Sequence, residues 1–157
     1  MRARIKTLER LRTLYKAVEH TDGLTLDHAR AAVHFAELKI KEQAEFVEHV
    51  NEDGLRALRA GDFGEWQIDQ SQIEFAGWNA AGLDAWKEKR REQMAAAAEV
   101  YRESRMQLEQ MESVLVQARA QLRLEDERSE QRASDDRFLS RKRWLEQQRR
   151  SKGEGLS

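Results

Sequence analysis

Apolar residues recur along most of the chain at alternating steps of three and four, which is the heptad pattern of a coiled-coil helix. One run starts at Leu26, and Gln43 takes one of its positions. Its apolar members are Leu26, Ala29, Val33, Ala36, Ile40, Val47 and Val50. The pattern predicts a long helix whose apolar seam faces a partner helix.

The first twenty residues carry another apolar run, which is offset by four residues from the run that follows: Leu8, Leu11, Tyr15 and Val18. The offset falls at residues 20–28, where Gly23 lowers helix propensity. A fresh helix could be capped there by Thr21, Asp22 or Thr25. We therefore expect a kink or a short break near residues 20–25, inside a first helical arm that spans residues 1–58.

A third run keeps one heptad frame and is interrupted only where Lys87 and Arg90 take seam positions beside Trp86. Its members are Trp66, Ile73, Ala76, Ala80, Leu83, Met94, Ala97, Tyr101, Leu108, Met111, Leu115, Ala118 and Leu122. A frame of this length predicts a second helical arm over residues 66–124.

Between the two arms lies "RAGDFGEW", which contains what a chain reversal requires. Gly61 can adopt positive φ at the end of one helix, and Asp62 can cap the start of the next. We predict a turn over residues 59–65 that pairs Ile40 with the mid-80s, Tyr15 with about residue 109 and Leu8 with about residue 116. The alternative is a parallel homodimer of one continuous helix.

The predicted fold class is therefore all-α, a long antiparallel two-helix coiled-coil hairpin that is monomeric in isolation. Residues 125–157 extend beyond the paired arms as a charged helical extension with a frayed tail. Composition agrees, because the 157 residues are 36% charged and only 7% aromatic, with no proline and no cysteine. The lack of cysteine favours a reducing compartment, and we see no signal peptide and no apolar run of about 18 residues.

Charge is segregated along the chain although the net charge is only −1. Residues 42–76 contain nine acids against Arg56 and Arg59, whereas residues 1–16 contain six bases against Glu9. Residues 137–152 contain seven bases against Glu146. The two ends of the hairpin are therefore expected to face different partners.

Candidate catalytic chemistry is sparse. The four histidines form no i, i+4 pair and no zinc-protease motif, and "AGDFG" lacks the lysine and the preceding strand of a phosphate-binding loop. A two-helix hairpin also lacks the concave pocket that catalysis generally requires. We expect no enzymatic activity, no cofactor and no metal.

Binding is the remaining role, and apolar residues off the seam are its candidates. Phe75 falls at position c and Trp78 at position f of the second arm, which are outward positions. Others lie in the turn or on the overhang: Phe63, Phe138, Leu139, Trp144 and Leu145. One alternative is that residues 1–20 fold back as a third helix over Phe75 and Trp78. The overhang itself fits either a docking helix or a disordered tail.

Two stretches resemble the FliJ/YscO proteins of bacterial type III export machines. The opening "TLERLRTLYKAVEH" resembles the family's Leu-x-x-Leu-Arg start, and residues 108–142 resemble its long basic-acidic helix. The matching positions in the second stretch are Glu125, Asp126, Glu127, Glu130, Gln131, Asp135, Asp136 and Arg141. The aromatic start of the second arm is also similar. This chain departs from the family at Asp136, which stands where Glu is commoner, and at Gly23 in a first helix that is usually unbroken.

The resemblance implies a cytoplasmic stalk, peripheral to the inner membrane, that promotes assembly and activity of the hexameric export ATPase. It also implies a link to the membrane export gate protein, with export chaperones as further candidate partners. We assign ATPase contact to bases near the two termini: Arg10, Arg12, Arg137, Arg141 and Arg143. We assign contact with the gate or another partner to Phe75 and Trp78.

Two other classes of function stay open at this point. One is a generic coiled-coil scaffold or chaperone-like adaptor that binds through exposed aromatics at its ends. The other is nucleic-acid binding through the basic end, against which the acidic half would repel phosphate and no DNA-binding motif is present. We therefore expect no nucleic-acid partner.

Overall fold

The computed structural model describes residues 1–155, which form two helices, α1 over Arg2–Arg59 and α2 over Phe63–Glu154. The helices pack antiparallel, so the predicted all-α helical hairpin is confirmed. Residues 156 and 157, the end of the expected tail, lie outside the described residues. The chain divides into two compact units. We call them the terminal unit, Met1–Leu14 with Glu109–Ser157, and the turn unit, Tyr15–Leu108.

The turn between the helices is shorter than residues 59–65, because both helix ends are capped within a few residues. Gly61 has φ of 82°, and the amides of Gly61 and Asp62 donate to the carbonyls of Leu58 and Ala57, which is a Schellman motif. The Asp62 carboxylate then accepts from the amide of Glu65 at 3.1 Å. Asp62 is therefore the N-cap of α2, and the second helix begins three residues earlier than Trp66.

Helix α1 continues without a break through residues 20–25, where we expected a kink or a short break. The hydroxyls of Thr21 and Thr25 donate to the carbonyls four residues before them, so neither caps a new helix. Gly23 is packed rather than hinged, since a Cβ there would lie 3.2 Å from Cε2 of Tyr101. Residues 2–20 belong to this same helix and do not fold back as a third one.

The predicted four-residue offset between the first two apolar runs, which suggested the break, is also wrong. Leu11 and Val18 are 36% and 48% exposed, so they are not seam residues. The positions that keep the frame of Leu26 are buried or half-buried instead: Ile5, Leu8, Arg12, Tyr15, Glu19 and Asp22. Helix α1 therefore has one heptad seam along its whole length, and three of its early positions are charged.

In the terminal unit, the start of α1 packs on α2 through a small apolar cluster. Ile5, Leu115 and Ala118 are buried, and Leu8 and Leu122 pack against them, which matches the expected pairing of Leu8 near residue 116. Ion pairs flank the cluster, with Arg119 to Glu9 at 2.8 Å, Arg12 to Glu112 at 3.5 Å and Arg2 to Asp126 at 3.8 Å. From residue 123 to residue 155 every described residue is exposed.

In the turn unit, the seam combines small apolar residues with polar pairs. Its buried apolar residues are Leu26, Val33, Ala36, Val50 and Ala76. The Tyr101 hydroxyl donates to Glu19 at 3.0 Å, and the Ser104 hydroxyl donates to the Asp22 carboxylate. The Gln43 amide donates to the backbone carbonyl of Ala76 at 3.4 Å. Ile40 lines the same opening as Leu83 and Asp84, which agrees with the predicted register.

Candidate functional site

Phe75 and Trp78 project outward from α2, as their positions in the heptad predict. They are 61% and 76% exposed, and no third helix within residues 1–155 covers them. Exposed aromatic side chains on a rigid helix are typical of contact sites, because large rings supply much of the binding energy at interfaces. In the structure, further side chains from both helices line a groove together with these two rings.

Two adjoining openings of about 630 and 490 Å³ run between α1 and α2 on one face of the turn unit. They share Gln43, Phe46 and Asn79, so they form one continuous depression, which we call the aromatic groove. Its exposed apolar side chains are Phe46, Ile68, Phe75 and Trp78. Its polar wall includes Lys39 and Glu42, whose side chains pair with each other at 3.2 Å.

Phe46 and Ile68 also belong to this site and were not predicted from the sequence, although their heptad positions could have indicated them. In the heptad frame of each helix, Phe46 is at position g, which flanks the seam, and Ile68 is at position c, one heptad before Phe75. Their exposures of 50% and 55% show that the partner helix covers only part of each side chain. Phe75 and Trp78 therefore belong to a surface that is also lined by Phe46 and Ile68.

A further aromatic contact lies on the same face. The rings of Phe35 and Trp86 meet edge to face with centroids 6.0 Å apart, and Lys39 and Arg90 lie over these two rings. This contact joins α1 to α2 and uses Trp86 for packing. Among the described residues, the rings of Phe46, Phe75 and Trp78 in the aromatic groove form no such pair.

The opposite face of the same segment has its own opening of about 390 Å³. Ala44, Gly77 and Ala80 leave space there, and Ile40, Val47 and Ile73 are only half-buried as a result. A Cβ built on Gly77 or on Gly82, which lines the aromatic groove, would meet nothing within 4 Å. Small residues thus open the hairpin on both faces of this segment.

The seam residues proposed from sequence differ in their degree of burial, and none of them is exposed. Val33 and Leu115 are buried, at 7% and 2% exposure. The others are half-buried: Ile40, Val47, Tyr101, Leu108, Met111 and Leu122. Asp69 and Ser104, which were not predicted as seam residues, also occupy the heptad frame and are each 6% exposed. Asp69 packs against Gly54, where a Cβ would lie 3.3 Å from the Asp69 Cβ.

The five candidate arginines all belong to the terminal unit, but they differ in exposure. Arg10, Arg137, Arg141 and Arg143 are exposed, and the Arg137 Nε donates to the Ala133 carbonyl at 3.2 Å. Arg12 is half-buried at a seam position, where it pairs with Glu112. Arg12 therefore contributes to pairing of the helices, and the other four are the better candidates for contact with a partner.

The two units carry opposite net charge. The terminal unit contains 16 basic and 11 acidic residues, a net charge of +5, whereas the turn unit contains 12 basic and 18 acidic residues, a net charge of −6. The predicted segregation therefore coincides with the division of the fold. The aromatic groove lies in the acidic unit, and the exposed C-terminal helix lies in the basic one.

Neither a metal centre nor a membrane span emerges from the part of the chain that the structure describes. Within residues 1–155, no group of three or more His, Cys, Asp or Glu side chains could hold a metal ion. Over the same residues, neither helix is long and apolar enough to cross a membrane. No family model, no curated protein and no solved structure matches this chain.

Proposed function

We propose that this chain is the coiled-coil stalk of a bacterial type III protein export apparatus. In this role it promotes assembly and activity of the hexameric export ATPase and links that ATPase to the membrane export gate. The chain would act in the cytoplasm and reach the inner membrane only through its partners. The proposal rests on the family resemblance of both arms and on the hairpin fold.

One observation carries the proposal furthest, namely the exposed basic helix in the terminal unit. Beyond Leu122 all described residues of α2 are exposed, and seven bases stand against one acid over residues 137–152. A slender charged helix of this kind can be held inside a protein ring through many weak electrostatic contacts. Each exposed ion pair contributes only about 0–1 kcal/mol, so several charges must act together.

The test is ATP hydrolysis by the purified cognate hexamer with and without variants of this chain. Changing Arg10, Arg137, Arg141 and Arg143 to Glu should abolish stimulation while circular dichroism shows an unchanged helix content. Arg12 is left out, because Glu at that position would face Glu112 within the hairpin. Retained stimulation by this variant would contradict the proposed contact.

The matched control reverses four exposed bases of the turn unit, Lys41, Arg56, Arg59 and Lys89, and so produces the same net charge. This control should keep stimulation, since its changes lie outside the terminal unit. Equal loss in both variants would mean that overall charge, and not the terminal unit, governs the effect.

The aromatic groove favours a second candidate function, that of a scaffold or chaperone-like adaptor without an ATPase partner. Changing Phe75 and Trp78 to Ala should leave ATPase stimulation intact and impair secretion in cells if the stalk proposal holds. If the chain instead captures no ATPase from a secreting cell and still needs Phe75 and Trp78 to bind its partners, the scaffold function replaces it.

A further inference from the structure

The aromatic groove has the residue periodicity of a site for one more helix. Ile68, Phe75 and Gly82 are all at position c of α2 and recur every seven residues, which is about 10.5 Å along a helix. Phe46 supplies the facing wall from α1. Rows of side chains at heptad spacing present holes that accept residues i, i+3 or i+4, and i+7 of an added helix.

Nothing in the turn unit fills this groove. Trp78 is 76% exposed and Phe75 61% exposed, and the Gly82 position opens into space with no atom within 4 Å of an added Cβ. Apolar side chains left this exposed at the mouth of a lined depression indicate a surface that is covered when a partner binds.

The surrounding charge selects what kind of helix can bind. Residues 42–76, which contribute most of the groove, hold nine acids and two bases, and Glu42 lies in its wall. Lys39 and Glu42 pair with each other, and Lys39 also lies over the Phe35 ring, so these two charges offset each other. The acidic balance comes from the rest of the segment, which holds eight further acids against Arg56 and Arg59. A symmetric dimer through this face would bring two such acidic segments together, which long-range repulsion disfavours.

We propose that the aromatic groove binds a basic amphipathic α-helix of a partner protein. The apolar face of that helix covers Phe46, Phe75 and Trp78, and its Lys or Arg side chains meet the carboxylates of the turn unit. Under the proposed function, Phe75 and Trp78 contact the export gate or another partner, and the basic helix would belong to that partner. This biological role rests on the proposed function.

The test uses three labelled 18-residue peptides and fluorescence anisotropy. The first has Leu and Trp on one helical face and Lys on the other, the second has Glu in place of Lys, and the third shuffles the apolar positions out of helical spacing. The Lys peptide should bind at least about ten-fold more tightly than the other two. Its affinity should fall several-fold between 50 and 300 mM salt. Equal binding of the Glu peptide, or no binding of the Lys peptide, would overturn the proposal.

Two glycine variants form a matched pair for locating the site. Gly82→Leu places a side chain in the aromatic groove, whereas Gly77→Leu places one in the opening on the opposite face, and neither added Cβ has a neighbour within 4 Å. The first should weaken binding of the Lys peptide by at least about ten-fold, and the second should leave it within about two-fold. Equal weakening by both would place the binding site elsewhere.

Two controls separate this inference from the others. Sedimentation equilibrium of the full chain tests a second copy as the occupant, and self-association that Gly82→Leu abolishes would overturn the assignment to a partner protein. ATPase stimulation by Gly82→Leu tests the proposed function apart from the groove. Failure of peptide binding with charge-dependent stimulation intact refutes only the groove, and the reverse result refutes only the stalk.

Discussion

The cluster around Leu115 and the segment around Ala76 differ in how the same heptad seam is used. In the terminal unit, Ile5 and Leu115 are large, buried side chains. In the turn unit, Gln43, Ala76 and Ala80 occupy seam positions, and openings lie on both faces. The comparison shows that a coiled-coil seam can stabilise pairing in one segment and expose a binding surface in another.

The largest expected effect is a loss of stability on truncation within the Leu115 cluster. Leu115→Ala should lower the free energy of unfolding by about 2–4 kcal/mol, because a fully buried side chain is removed from a packed site. Leu83→Ala, at a half-buried position beside an opening, should cost about half as much. Urea unfolding followed by circular dichroism measures both, and equal losses would show that the two segments are packed alike.

The next largest effect is the difference in stability change between alanine at a glycine that contacts a side chain and alanine at a glycine with no neighbour. Gly77→Ala should raise the free energy of unfolding by about 0.5–1 kcal/mol, because alanine favours the helix and meets nothing. Gly23→Ala gains the same helix propensity but places a Cβ 3.2 Å from the Tyr101 ring, so its net effect should be at least about 1 kcal/mol less favourable. Equal stabilisation would mean that the Tyr101 ring moves aside without cost.

Trp78→Ala should change stability by less than about 1 kcal/mol, because the ring is 76% exposed. The same change should weaken binding of a partner helix at the aromatic groove. Trp78 would then contribute to binding without contributing much to stability. Thermal unfolding is the measurement. A loss as large as that of Leu115→Ala would mean that something covers this face.

The smallest expected effect is the coupling between Glu9 and Arg119. Their side chains are 45% and 47% exposed and their charged atoms lie 2.8 Å apart. A double-mutant cycle with Ala at both positions should give a coupling energy of about 0.2–1 kcal/mol that decreases in high salt. A larger, salt-independent coupling would show that ion pairs, rather than Leu115 and its neighbours, hold the terminal unit together.

The errors of sequence analysis came from polar residues in the seam. Arg12, Glu19 and Asp22 are residue types typical of a solvent-facing helix surface, so the apolar pattern alone favours their neighbours Leu11 and Val18 as the seam. The resulting offset suggested a break that does not exist. A polar residue at a seam position is stable when a partner satisfies it, and for Glu19 that partner is Tyr101, 82 residues away.

The sequence by itself determined the two helices, the position of the turn and the register. These follow from heptad spacing and from the conformational freedom of Gly61, both of which act over a few residues. Only the tertiary structure decided that α1 is unbroken, that Arg12 pairs with Glu112 and that Phe46 joins Phe75 in a groove. Those features depend on which side chains meet across the two helices, and residues far apart in the chain supply them.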